Sequence, residues 1–470
     1  MKNKISYQRF FSLLRQSLKG DEYDYTSGSL RVAVFLLSVP MMLEMCLESV
    51  FAVVDIFFVN KLGPLAVSVV GLTEATITLV YSVAIGLSAA ATALVARRVG
   101  EKNPEGASKA AVQSLLVSGV LIAIMSCFGY IYAREILEIM GAEPEAVNMG
   151  VNYTRIMLGG SAVVVLLFLI NGIFRGAGNA SVAMRSLWLG NICNIILCPV
   201  LINGHGPFPE MGVTGAAVAT VCGRGIGVLY QLYQLFFVKH DMIKVHRQRW
   251  WPDRKVISSL LSISLPATTQ FIIQSASWIF LAAIVAMSGS DASAGYQTAI
   301  RLIIFFILPA WGMSNAAATL VGQNLGANQP ERAEISVRTI ARYNVVFMAG
   351  VMLFFIVLAD PLISFFIPEH HPAEHTYAVQ ALRIISLGYV LYGIAMVLMQ
   401  AFNGAGDTKT PTYISFVGFW LLQIPLAYLL AITGGMGPLG VFIAIPSSEA
   451  FVAFLYIWFY RKGKWKEVKV

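Results

Sequence analysis

Charge is what this sequence has least of: Asp, Glu, Lys and Arg together make up 12% of its 470 residues, against 57% hydrophobic. A water-soluble fold of that composition would have too little polar surface to stay dispersed. Cysteine is scarce as well. Cys46, Cys127, Cys193, Cys198 and Cys222 all fall in apolar stretches, and none stands at a CxxC or metal-ligand spacing. His370, His371 and His375 cluster, but in a polar stretch that reads as an exposed loop rather than a metal site. No nucleotide-binding loop is present: the GxG at 176–178 and at 404–406 follows a helical pattern, lacks a trailing glycine and has no strand before it. This argues against ATP-driven pumping by the chain alone. Neither a nucleophile with its base nor a metal triad can be assembled, so an enzyme is not expected. No loop is long enough to form a basic soluble domain, which argues against nucleic acid as a partner despite the formal net charge of +8. Residues 1–30 also lack the apolar core and cleavage site of a signal peptide.

What fills the sequence instead is twelve apolar stretches of 20 or more residues, the first at 32–59 and the last at 439–460. They are too long for transmembrane strands and show no period-2 alternation, so their backbone groups must be satisfied within helices. The chain also reads twice. ATALVARRVGEKNPEGA at 91–107 returns as AATLVGQNLGANQPERA at 317–333, FRGAGNA at 174–180 as FNGAGDT at 402–408, and MGVTG at 211–215 as MGPLG at 436–440. The offsets are 226, 228 and 225 residues. Six spans return the chain to its starting side, so the repeats lie parallel. The expected fold is an all-α polytopic membrane protein, twelve helices in two parallel six-helix repeats forming a V-shaped bundle of two lobes with a cleft between them. Its parts are an arm at 1–30, a first lobe at 31–237, a linker at 238–256, a second lobe at 257–460 and a basic tail at 461–470.

Basic residues give the orientation. Lys2, Lys4, Arg9, Arg15, Lys19 and Arg31 lie in or beside the arm, Lys239, Lys244, Arg247, Arg249, Arg254 and Lys255 in the linker, and Arg461, Lys462, Lys464, Lys466 and Lys469 in the tail. The loops at 204–212 and 433–438 have no Lys or Arg. Both termini and the linker are therefore expected on the cytoplasmic side of the cell (inner) membrane. Ile5, Phe10, Phe11, Leu14 and Leu18, spaced among basic residues, suggest a short helix lying on the inner surface.

Three carboxylates stand where charge is costly. Glu44, Glu48 and Asp55 are at i, i+4 and i+11 of the first span, within about 40° of one another around the helix. An ionised carboxylate near the bilayer centre costs about 2.5–3.5 kcal/mol on insertion scales, so three on one face need a shared reason. Burial and mutual repulsion favour a shared proton or a bound cation; the alternative is that they face an aqueous vestibule or pair with Arg155, Arg224, Arg301 or Arg383. Pro40, one turn before Glu44, permits a bend that couples protonation to shape. The repeat sharpens the contrast. An offset of 226 places Pro266, Gln270, Gln274 and Leu281 opposite Pro40, Glu44, Glu48 and Asp55, so the second lobe keeps the proline and replaces the acids with amides and a leucine. Amides bind but do not take up protons, which assigns ion coupling to the first lobe and substrate lining to the second. Phe51, Trp278, Tyr296, Trp311, Met313 and Tyr392 are the aromatic and methionine candidates for the cleft wall, each with a lipid-facing alternative. Glu74 and Glu449 also fall within spans, facing the cleft or structurally paired.

Twelve spans in two repeats, Pro40 fifteen residues before Asp55, RGAGN after span four and GAGDTKTP at 404–411 after span ten resemble the multidrug and toxic compound extrusion family, over about residues 30 to 460. The resemblance implies a monomeric transporter without a cofactor, exporting organic cations and other amphipathic compounds in antiport against H+ or Na+, with small molecules and the bilayer as partners. Within the family it is nearer the branch of the DNA-damage-inducible proteins, which uses an aspartate in span one and another in span five, aided by asparagines. Asp55 matches the first aspartate, and Asn171 and Asn194 match two asparagines. The second aspartate is replaced by Cys198 within Asn194 to Pro199. The glutamate of span seven and the acid of span ten used by another branch fall on Gln274 and Tyr392. The implied site is thus atypical, with Asp55 and Glu48 taking the ion, Glu44 beside them and span one bending at Pro40. Two other readings stand beside it: a flippase or exporter of lipid-linked or other amphipathic metabolites, against which the acids of span one argue, and a non-transporting membrane scaffold.

Overall fold

The computed structural model describes residues 7–20, 23–245, 250–367 and 371–470. Lys2, Lys4, Ile5, Arg247, Arg249 and His370 lie outside the described residues. Among the described residues there is no strand. α1 (Tyr7–Lys19) is the expected short helix of the arm; Ser17 anchors it by donating to Leu36 O at 3.0 Å, while Phe10 and Phe11 are exposed.

The first lobe comprises α2 (Leu30–Asn60), α3 (Pro64–Gly100), α4 (Pro104–Ile131), a short α5 (Ala133–Ile139), α6 (Pro144–Gly159), α7 (Ser161–Gly176), α8 (Ala180–Asn203) and α9 (Gly212–Phe236). In the second lobe follow α10 (Arg254–Ala286), α11 (Ser290–Gly326), α12 (Pro330–Phe366), α13 (Pro372–Ser386) and α14 (Tyr389–Ala405), the last two meeting at 55°. The next span starts as α15 (Lys409–Ser415), widens into π-helix over Phe416–Gln423, continues as α16 (Ile424–Tyr428) and widens again over Leu429–Thr433. α17 (Pro438–Arg461) closes the bundle. Among the described residues, ten helical segments are long and apolar enough to cross a membrane, and the bent α13–α14 pair makes eleven. α2 completes the twelve: its 31 residues extend about 46 Å, beyond a hydrocarbon core of about 30 Å.

The repeat is written in the backbone. Gly63 and Gly289 both have positive φ, as do Gly178 and Gly406, each at +89°, and Gly212 and Gly437. Among the described residues the two non-glycine positions with positive φ, Lys102 at 54° and Asn328 at 55°, are 226 residues apart. Each ends a 37-residue helix and leads, through Pro104 or Pro330 at the first helical position, into the next span. Outward stripes repeat as well. Val120, Ile124 and Phe128 on α4 are exposed, as are Val346, Leu353 and Val357 on α12, the surface a lipid-facing helix requires.

The lobes meet at the end that carries the C-terminal end of α1 and the basic tail. There α3 and α11 approach so closely that a Cβ on Gly100 would come within 1.9 Å of Gln323 O, and one on Gly326 within 2.2 Å of Arg97 O. Small residues at such crossings let membrane helices touch through their backbones. Thr319 and Gln323 of α11 donate to Arg175 O at 3.0 Å and Gly176 O at 2.9 Å, and Tyr25 donates to Gly178 O at 3.1 Å. The linker is pinned to α4: Gln113 donates to Trp251 O at 2.9 Å, and Lys109 lies 2.5 Å from Asp253. That lysine contact, with the Val256 N–H donating as well, holds the Asp253 carboxyl below the usual carboxylate range. α2 runs unbroken through Pro40, and α10 through Pro266, where Thr412 donates to Pro266 O at 2.7 Å.

Candidate functional site

The face of α2 that carries Glu44, Glu48 and Asp55 turns into the first lobe, and each acid has its own partners. Glu44 is 1% exposed. Its Oε1 accepts from Asn171 Nδ2 at 2.9 Å and lies 3.7 Å from Arg175 Nη1, while its Oε2 is buried without a partner. Around it a closed chain of side chains continues, in which Gln231 donates to Asn171 Oδ1 and, at 2.9 Å, to Ser186, and Arg175 donates to Ser88 at 3.0 Å.

One turn further, Glu48 Oε1 accepts from Arg224 Nη2 at 2.8 Å. The guanidinium sits 4.3 Å from the Phe51 ring centre and 5.7 Å from that of Tyr81. Two aromatic rings and a carboxylate together neutralise and pack a buried cation. Glu48 is therefore committed to an ion pair rather than shared with Asp55, the arginine pairing being one of the two fates open to it in the sequence.

Asp55 is bound differently. Oδ1 accepts from Asn194 Nδ2 at 3.0 Å and from the Cys198 thiol at 3.8 Å, and Oδ2 accepts from the Thr220 hydroxyl at 3.0 Å. Asn194 and Cys198 are wholly buried on α8, Thr220 is buried on α9, and Asn194 Oδ1 has no partner. No cationic group among the described residues lies within ion-pair distance of Asp55. The two asparagines thus serve different acids: Asn194 holds Asp55 and Asn171 holds Glu44. Arg175, Thr220 and Gln231 were not singled out in the sequence, although Arg175 opens the quoted RGAGN and Thr220 stands one turn before Arg224 on the same face.

In the second lobe Gln274, Trp278, Trp311 and Tyr392 line one small pocket, together with Met399, Phe419, Glu449 and Tyr456. Gln274 donates to Ser415 at 3.2 Å. The other lining candidates lie elsewhere. Phe51 is packed under Arg224, Tyr296 stacks on Phe442 in the second-lobe core, and Met313 is buried in the cluster where α2 meets α11. Gln270 is fully buried with neither amide atom partnered. None of the four lines this pocket: Phe51, Tyr296 and Gln270 are packed in buried surroundings, and Met313 between α2 and α11. Glu74 is exposed on α3, and His375 bonds Ser364 at 3.0 Å, 3.8 Å from Asp360.

A profile of the family described as MatE matches residues 40–200 and 266–429, one block in each lobe. The chain is 28% identical over 439 residues to the probable multidrug resistance protein YoeA of Bacillus subtilis (strain 168), covering 93% of this chain and 94% of that one. It is 27% identical to the probable multidrug resistance protein NorM of Thermotoga maritima, covering 97% of each. Among solved structures, one described as MATE in complex with MaL6 superposes with a TM-score of 0.89 at 26% identity, over 95% of this chain and 100% of that one.

Proposed function

The chain belongs to the MatE family of transporters and is not an enzyme, and on that premise we propose that it is a secondary active multidrug exporter, antiporting organic cations or amphipathic drugs against protons or sodium by alternating access. The observation that carries the reading is Asp55, the one carboxylate of α2 held by neutral donors alone. A carboxylate so placed answers its burial by taking a proton, or by keeping its charge and taking a sodium ion. The orphaned Asn194 Oδ1 is an acceptor open to either. The basic residues of the arm, linker and tail support a cytoplasmic side for both termini, and on that reading the end where the lobes touch is cytoplasmic and the cleft opens outward.

In that state Asp55 takes the ion from outside. Loading weakens its hold on Asn194 and Thr220, frees α2 to bend at Pro40, releases drug and lets the lobes reclose outside. Each elementary charge moved through 100 mV supplies about 2.3 kcal/mol, close to a fiftyfold gradient. The carrier acts as a monomer in the cell (inner) membrane, its partners being the bilayer and its small-molecule substrates.

Ethidium efflux from cells expressing the chain tests this, with and without a protonophore, with sodium removed, and beside Asp55→Asn. Efflux that fails with the protonophore or without sodium, and fails in the variant, is the expected result. Wild-type efflux in Asp55→Asn overturns the site, and no efflux of any cationic drug overturns the multidrug reading.

A further inference from the structure

We propose that the segments flanking the two lobes are paired latches on the cytoplasmic gate, each lying on its own lobe and gripped by arginines of the other. Residues 25–28 are gripped by Arg332, and residues 468–470 by Arg97 and Arg98. The inference rests on the alternating-access reading and goes beyond it, by naming contacts that must break for the chain to open inward.

The repeat carries the pattern. Gly178 and Gly406, both with φ of +89°, close equivalent turns in the two lobes. Each turn is covered by a flanking segment: a Cβ on Gly178 would come within 2.6 Å of the Tyr25 ring, and one on Gly406 within 2.5 Å of the Val470 side chain. Tyr25 belongs to the stretch that leads into α2, and its hydroxyl donates to Gly178 O at 3.1 Å. Arg332 of α12 reaches this stretch from the second lobe. Its Nη2 donates to Ser27 O at 2.7 Å and to Tyr25 O at 3.4 Å, and its Nη1 to Gly28 O at 3.2 Å.

The tail mirrors this arrangement. Left-handed Gly463 turns the chain back after α17, and the buried Trp465 stacks on Tyr460 with ring centres 5.0 Å apart. Lys466 pairs with Glu334 of α12, which anchors the tail to the second lobe. The residues that follow cross to the first. Arg97 Nη2 of α3 donates to Val468 O at 2.9 Å, and Arg98 Nη2 to Val470 O at 3.1 Å. Val470 packs against the core cluster that holds Leu94 and Val95 of α3, while Tyr25 lies in the one that holds Leu320 and Val321 of α11.

Both grips span the seam where Gly100 and Gly326 bring α3 and α11 into backbone contact, so parting the lobes there pulls each segment away from its arginines. The choice of acceptor suits a contact that opens and recloses. A charged donor makes a stronger hydrogen bond than a neutral one, and a carbonyl, unlike a carboxylate, leaves no ion pair to separate.

The test is an electron-spin distance measurement on the full-length chain in lipid nanodiscs, with labels at Glu105→Cys on α4 and Ile335→Cys on α12. Cys46, Cys127, Cys193 and Cys222 are replaced by alanine and the buried Cys198 is kept. The short distance is expected to dominate without substitution at the latches. Arg332→Gln, and Arg97→Gln with Arg98→Gln, are each expected to raise the ratio of long to short distance by about tenfold or more, and all three together further. Arg134→Gln, which breaks an ion pair within α5, leaves the ratio unchanged. An unchanged ratio in the triple variant overturns the proposal. Should the arginine variants fail to purify as monodisperse protein, Trp465→Ala decides, because it undocks the tail and leaves every arginine in place: a raised ratio supports the latch and an unchanged one overturns it. Ethidium efflux is measured on the same variants. A raised ratio in a chain that exports no ethidium would sink the multidrug reading and leave the latches standing; export with an unchanged ratio would do the reverse.

Discussion

The two lobes share a backbone and differ in how they satisfy buried charge. Around α2 every acid finds partners from α7, α8 or α9, so the first lobe is a filled, polar interior. Around α10 the corresponding positions are amides, a thioether and aromatics about a small pocket, with Glu449 left unanswered. On the proposed reading, the first lobe holds the coupling ion on protein ligands and the second lobe lines the path of the substrate. A duplicated fold can divide coupling from recognition by exchanging a few side chains at equivalent places.

The largest effect that would break this division is at Asp55. Asp55→Asn is expected to reduce ion-driven transport to background while sparing ethidium binding, because the second lobe is untouched; the pair of assays checks it. Next comes Arg224→Gln, which leaves the part-buried Glu48 without its cation. Separating a fully buried pair costs about 3–5 kcal/mol in soluble proteins, so a smaller but clear fall in melting temperature is expected. Glu449→Gln, at the equivalent position, removes a charge that has no partner and is expected to leave the melting temperature equal or higher. Equal losses at the two positions would end the contrast between the lobes.

A smaller effect is expected from Asn194→Ala, which removes one hydrogen bond to a carboxylate, worth about 1.5–3 kcal/mol. Apparent affinity for the coupling ion should change by roughly tenfold or more, with maximal drug efflux less affected; flux measured against ion concentration separates the two. Smallest is the backbone share of the cost of Gly178→Ala and Gly406→Ala, expected to be the same in both lobes, to which Gly178→Ala adds a clash with the buried Tyr25 ring and Gly406→Ala one with the Val470 side chain. Both residues have φ of +89°, and a left-handed alanine costs about 1–2 kcal/mol. The larger melting shift is expected for Gly178→Ala, and a larger shift for Gly406→Ala would show that the two turns are not equivalent.

Much of this was legible in the sequence. Long apolar runs with no alternation leave only helices, and the matching motifs gave the repeat its register before any backbone was seen. Glu44, Glu48 and Asp55 were found because helical periodicity fixes a shared face. Their partners were less accessible: Arg175 and Thr220 come from α7 and α9, and a one-dimensional period says nothing about which faces of separate helices meet. Phe51, Tyr296 and Met313 were misjudged as cleft candidates for the same reason, since an aromatic or methionine within a span suits a core, a lipid face or a binding wall equally well. Glu449 was named in the sequence as a span acid with two fates open, and the offset of 225 that sets it opposite Arg224 was the signal that could have placed it more closely.

The most direct test of the division is ethidium transport into proteoliposomes under an imposed proton or sodium gradient, with Asp55→Asn and the wild-type chain side by side. The account predicts that the wild type accumulates ethidium against its gradient while Asp55→Asn binds ethidium normally and accumulates none. Uphill accumulation by Asp55→Asn at the wild-type rate would contradict it, and would place the coupling ion somewhere other than the first lobe's unpaired acid.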